Sequence, residues 1–168
     1  MGNTTYSGPL RSESTIKTVS KNASTGAITE IMTMGDAPVA LADENKTLDA
    51  ETHSGRTLVV PALAANRTIT LPAQVAGQSY KLIYGGAAEE AENLILLTPG
   101  NSNFFLGGIV HLDSNADNVS VYSNGSSNSS LTLTDFGVFE INVVAKDSTN
   151  YYIWGYQEGA DVPAFADQ

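Results

Sequence analysis

Cysteine is absent from the 168 residues, which excludes both a disulfide framework and a thiolate metal site. Positive charge is scarce. Eight Lys and Arg stand against eighteen Asp and Glu, for a net charge of −10. A nucleic-acid surface needs a basic patch to replace phosphate counterions, and the thinly spread cations supply none. Anionic membranes are disfavoured for the same reason, and no apolar run approaches the ~20 residues of a spanning helix. The opening MGNTTYSGPLRSE has no apolar stretch of the kind a secretory signal carries. Charged residues of either sign make up only 15% of the chain, too few for the Glu/Lys/Arg-rich surfaces of long helices. Ser, Thr, Asn, Gly and Ala are abundant instead, a mixture that suits short strands and turns.

The hydropathy pattern is correspondingly two-residue. Residues 57–67, TLVVPALAANR, are followed at once by TITLPAQVAGQ, residues 68–78. The two stretches share Thr57/Thr68, Pro61/Pro72, Ala62/Ala73 and Ala65/Ala76, and they match in character at Leu58/Ile69 and Val60/Leu71. Each is an alternating apolar run closed by proline, which lacks the N–H a ladder needs. The pattern predicts two neighbouring strands with similar turns. Further strands are expected at 79–84, 93–98, 107–112, 118–122, 130–134, 137–145 and 150–156, with 57–60 and 67–71 as the first two. Alternation is clear where Phe139, Ile141 and Val143 oppose Glu140 and Asn142. Upstream, TIKTVS and AITEIM flank the turn-rich KNASTG and predict a hairpin. Ile16 and Val19 break strict alternation, which points to a bulge there. Residues 39–51, VALADENKTLDAE, suit a short helix or a loop with one helical turn. The expected fold is all-β, a compact β-sandwich or β-barrel with an extended N-terminal arm and hairpin. The expected division is 1–35 for arm and hairpin, 36–56 for a linker, and 57–168 for the β domain with a short acidic tail.

Chemistry-bearing patterns are few. The two histidines, His53 and His111, are too few for a His-rich zinc site, and no G-x-S-x-G elbow offers a nucleophile. In DSNADN, residues 113–118, Asp113, Asn115 and Asp117 resemble the start of a calcium loop. Asn118 stands where that loop needs glycine, and Asx-rich turns account for the stretch equally well. Glu89, Glu90 and Glu92 read as a solvated edge. Tyr152, Trp154 and Tyr156 share one strand face, a core pattern that is also a platform for stacking sugars. No catalytic residue, metal or cofactor is expected.

Several segments carry a resemblance. NTTYSGPLRSE followed by KNASTGAITE, then SGRTLVVPALAANRTITLPA, YKLIYGG, NFFLGGIVHLD, VYSNGSSNSSLTLT and the terminal PAFADQ cover most of the chain. Together they resemble virion structural proteins of tailed bacteriophages of the marine-phage type, among them head decoration (cement) proteins. The resemblance implies a β-rich, often trimeric, non-enzymatic unit seated on the capsid surface and assembled in the bacterial cytoplasm. Its implied partners are the major capsid protein and its own copies, with no nucleic acid and no membrane. The flexible arm supplies the expected capsid anchors Tyr6, Pro9, Leu10 and Arg11. The apolar pairs Ile95 with Leu97 and Phe104 with Phe105 are the expected subunit contacts, because they exceed what one sheet face can bury. The alternative function is a fibre or surface module that binds host glycan.

Overall fold

The computed structural model describes residues 17–33, 37–113 and 117–168, which fall into two units, 1–37 and 38–168. The expected anchors Tyr6, Pro9, Leu10 and Arg11 lie outside the described residues. In the first unit, β1 (Lys17–Lys21) pairs antiparallel with β2 (Ile28–Thr33). The register slips between Thr18 and Val19, where the sequence loses its alternation. The Asn22 side chain holds the turn by accepting the Ser24 and Thr25 N–H groups at 2.9 and 3.0 Å.

The second unit is an all-β sandwich. Its strands are β3 (Val39–Ala40), β4 (Lys46–Thr47), β5 (Arg56–Val60), β6 (Arg67–Thr70), β7 (Ser79–Tyr84), β8 (Leu94–Leu97), β9 (Phe104–Asp113), β10 (Val119–Tyr122), β11 (Ser130–Leu133), β12 (Phe136–Ala145), β13 (Asn150–Gly159) and β14 (Ala164–Ala166). A seven-stranded sheet runs β10-β9-β13-β12-β7-β5-β3, and a five-stranded sheet runs β14-β11-β8-β6-β4. Both sheets are open, which makes the unit a sandwich and not a barrel.

From β3 to β8 the chain alternates between the sheets. β3, β5 and β7 lie parallel in the larger one, and β4, β6 and β8 lie parallel in the smaller. Parallel neighbours need a crossover, and here a strand of the opposite sheet serves where a helix commonly does. The sequence repeat therefore does not make adjacent strands, as its pattern suggested. Its halves are β5 and β6, on opposite sheets. Leu58 and Val60 of one half and Ile69 and Leu71 of the other are all buried in the shared core. The matched prolines Pro61 and Pro72 stand just past the two strand ends, where the ladder stops and the chain leaves its sheet.

Two expected boundaries are corrected. Residues 38–56 are no linker: β3 and β4 each extend a sheet, and Leu41 and Leu48 enter the core. The one helix among the described residues, α1 (Ala50–His53), has a single turn. The C-terminal residues are likewise no free tail, since β14 pairs with β11 and Phe165 packs on Phe105 with ring centroids 6.1 Å apart.

Core side chains alternate along the long strands, apart from a register shift between Phe136 and Val138 in β12. Phe136, Phe139, Ile141 and Val143 of β12 and Tyr151 and Ile153 of β13 point inward toward Leu94, Leu96, Leu131 and Leu133 of the smaller sheet. Tyr151 satisfies its buried hydroxyl by donating to the Pro72 carbonyl at 2.7 Å, which ties β13 to the end of β6. Gly107 has φ +123, and a Cβ there would sit 2.2 Å from the Ile153 carbonyl oxygen, so the close approach of β9 and β13 requires glycine.

Candidate functional site

The same alternation that fills the core leaves the other side chains of the larger sheet facing out. On β13, Tyr151 and Ile153 are buried while Tyr152, Trp154 and Tyr156 are 47%, 49% and 37% exposed. The sequence pattern left these three either as core or as an exposed stacking platform. Their shared face is the outward one, because Tyr151 and Ile153, on the opposite face of the strand, take the space between the sheets. Same-face residues on a strand recur about every 6.6–6.8 Å, so the three rings make a stripe ~13 Å long.

Cross-strand register sets what flanks each ring. Tyr122, Gly108, Trp154, Asn142, Lys81 and Thr57 form one row across six strands. The next row runs Ser120, Val110, Tyr156, Glu140, Ile83 and Val59. Tyr122 is 71% exposed, and its ring lies against Gly108, where a Cβ would come within 2.7 Å of it. The aromatic half of the face thus lies over β10, β9 and β13, and the polar half over β12, β7 and β5.

Between the halves is a groove of about 200 Å³ lined by Trp154, Asn142, Val144, Lys81, Thr57, Ser79 and Arg56, among others. Glu140 organises its polar edge. It accepts a hydrogen bond from Asn142 Nδ2 at 3.1 Å and pairs with Lys81 Nζ at 3.0 Å. Both contacts hold the Glu140 carboxyl below the usual range, the Asn142 bond contributing most. Lys146 Nζ lies 6.0 Å from the centroid of the Tyr152 ring, at the outer limit of a cation–π contact.

The other sequence candidates have structural work. His53 Nδ1 accepts the Asp49 N–H at 2.9 Å and lies 2.8 Å from the Thr52 hydroxyl. Asp49 in turn caps α1 by accepting the Glu51 and Thr52 N–H groups, which also holds its carboxyl below the usual range. The histidine is a latch within that cap. His111 is fully buried and its Nε2 bonds the Gly159 carbonyl at 3.0 Å. Asn118 of the calcium-like stretch accepts the Asp113 N–H through its side-chain oxygen, while residues 114–116 lie outside the described residues. No cluster of three metal-ligating side chains occurs among the described residues.

Glu90 departs most from its expected role as a solvated edge. It is 9% exposed and accepts the Tyr84 hydroxyl and, at 3.2 Å, the Leu63 N–H. Burial and this carboxylate together push the Tyr84 hydroxyl up to about 12, burial contributing more. The neighbouring hollow of about 360 Å³ is acidic, with Glu89, Glu90 and Asp135 in its lining. Asp135 sits at φ +42 and titrates above the usual carboxylate range. Desolvation is the first cause, followed by the hydrogen bond and charge of Asp161 and the charge of Glu89.

The expected subunit contacts divide. Phe105 is fully buried between its own sheets and has no surface to offer a partner, which corrects its assignment. Period two explains the error: of two adjacent phenylalanines on one strand, one must face the core. Phe104 is half-buried on the opposite side. Ile95 and Leu97 are half-buried on the outer face of the smaller sheet, with Thr68, Thr132, Thr70 and Ser130 beside them.

No protein-family model, curated protein or solved structure matches this chain.

Proposed function

We propose that the chain is a structural virion protein of a tailed bacteriophage that decorates and stabilises the capsid as a cement protein. The supporting observation is the division of labour along the chain. A densely packed sandwich occupies 38–168, and the hairpin of β1 and β2 forms a unit apart from it. In this reading the N-terminal unit attaches to the major capsid protein and the sandwich is a rigid plug. Its action is contact, not turnover, and copies associate as a trimer through the outer face of the smaller sheet around Ile95 and Leu97. Quantitative mass spectrometry of purified particles tests the reading. Hundreds of copies per virion support a head lattice; a few copies, or none, refute it. Native mass spectrometry of the free protein tests the trimer, and removal of residues 1–37 should abolish capsid binding while 38–168 stays folded.

A second reading is a fibre or surface module that binds host glycan. The exposed Tyr152–Trp154–Tyr156 stripe favours it, because aromatic rings held in a row at the surface stack against the C–H faces of sugars.

A further inference from the structure

We infer that β10, an edge strand of the larger sheet, is a docking edge for a second copy of this chain, paired antiparallel about a two-fold axis at Val121. The contact lies on the other sheet from the proposed trimer face around Ile95 and Leu97, and neither depends on the other.

An open sheet edge is a row of unpaired N–H and C=O groups, and three of the four edges of the sandwich are guarded against pairing. β3 has two residues and follows Pro38. β4 also has two, one of them Lys46, set between Asp43–Glu44 and Asp49. β14 has three residues and stands between Pro163 and Asp167. β10 has four residues, Val-Ser-Val-Tyr, with no charge and no proline, and its one ladder partner among the described residues is β9. Ladder parity decides which groups that edge offers. The Ser123 N–H donates to the Gly107 carbonyl at 2.9 Å, and antiparallel ladders bond every second residue, so Val121 and Val119 face β9. The Val121 carbonyl agrees, since a Cβ on Gly108 of β9 would sit 2.3 Å from its oxygen. Ser120 and Tyr122 therefore direct their backbone groups away from the sheet. Tyr122 does not cover them, because its ring lies back over Gly108.

The edge is complementary to itself. Pairing centred on Val121 sets Ser120 opposite the second copy's Tyr122 and Tyr122 opposite its Ser120, and the two pairs exchange about four N–H···O bonds. The large ring meets the smallest side chain of the strand, and the two Val121 side chains meet as a β-branched pair. The pairing also avoids the charge of the chain. A net −10 opposes contact between copies over much of the surface, yet residues 118–134 carry no charged side chain, and Asp117 falls opposite Gly125 of the second copy. A cationic partner gains nothing from such an edge, whereas a like-charged copy loses nothing there. Four residues a side bury less than the ~1,200 Å² at the lower end of stable interfaces, so the free pair is weak and gains strength where copies are already gathered on a surface.

Hydrogen exchange of the full chain, followed amide by amide by NMR, tests the edge. Val119 and Val121 should be protected at every concentration, because β9 holds them. Ser120 and Tyr122 should exchange freely at micromolar protein and slow by about tenfold or more at millimolar protein. The absence of cysteine gives a second reading. Val121→Cys should form a disulfide-linked dimer on air oxidation, since its paired Cα atoms would stand ~4.5 Å apart, within the ~4.4–6.8 Å a disulfide spans. Ser120→Cys should not, although it is the more exposed position, because an offset of two residues puts its Cα atoms ~8 Å apart, beyond the ~7 Å limit. Ser120→Pro removes an outward N–H and leaves the β9 ladder whole, so it should abolish the concentration-dependent protection of Tyr122 with little change in melting. Free exchange of Ser120 and Tyr122 up to millimolar protein overturns the inference. Protection of the two that does not vary with concentration assigns the edge to a segment of the same chain and overturns it as well. Cross-linking through Ser120→Cys in preference to Val121→Cys refutes the pairing about Val121.

Discussion

Truncating Phe105 to alanine separates a core residue from an interface residue. The side chain is 0% exposed and packs edge-on against Phe165 at 6.1 Å and 63°. Phe165 belongs to β14, so this contact joins the last strand of the smaller sheet to β9 of the larger one. A buried Phe→Ala change costs about 3–5 kcal/mol in lost transfer energy and residual cavity. The aromatic pair accounts for ~0.5–1.5 kcal/mol of that. Against a total stability of about 5–15 kcal/mol, the loss is a large fraction. For a unit of this size, a kcal/mol shifts the melting temperature by about 3–5 °C, so the drop should be about 10–20 °C. The assay is urea unfolding followed by circular dichroism at a low and a high protein concentration. A core role predicts the same loss at both, because no association equilibrium is involved. An unchanged unfolding midpoint in a variant that no longer associates would refute the reasoning and return Phe105 to an interface.

Glu90→Ala removes the buried acceptor of the Tyr84 hydroxyl and of the part-buried Leu63 N–H and should cost about 1–3 kcal/mol in denaturant unfolding, whereas a solvated-edge glutamate would cost nothing measurable. Glu90→Gln should lower the Tyr84 titration from about 12, read by tyrosine-selective NMR. Asp147 is held down to about 2, chiefly by the Thr149 N–H, with the Asn150 N–H and side chain helping. Its folded value lies below its unfolded one. Its contribution is therefore complete above pH ~4 and is lost as pH falls toward about 2, and Asp147→Asn should flatten the acid limb of stability in that window. Asp135 has the opposite sign. Its raised folded value means that ionisation opposes folding, so Asp135→Asn should raise the melting temperature at pH 7, and the gain should fade as the medium is acidified. Asparagine also tolerates the φ of +42, so no backbone strain offsets that gain.

The sequence alone determined the strands of the sandwich from residue 57 onward. Alternation with period two, punctuated by Gly, Pro and Asx turns, located β5 to β13 within a few residues, and the break at Ile16 and Val19 marked the bulge in β1. These are local consequences of backbone geometry, so they are written in adjacent residues. Which sheet a strand joins is not local. TLVVPALAANR and TITLPAQVAGQ look like neighbours because each buries alternate residues against a core, and strands facing each other across that core carry the same pattern as strands side by side. The short β3, β4 and β14 escaped notice because two or three residues hold no period. They exist because β5, β6 and β11 offer them unpaired edges. The candidate site was half legible. The period of Tyr152, Trp154 and Tyr156 placed them on one face, but only the tertiary structure decided that the face is outward, by giving the interior to Tyr151 and Ile153. It also supplied Asn142, Lys81 and Thr57, which are far apart along the chain and become neighbours through register alone. Glu90 was misread for the same reason. Nothing in GGAAEEAEN distinguishes the glutamate that meets Tyr84 and Leu63 from the two beside it, because its partners come from other strands and turns.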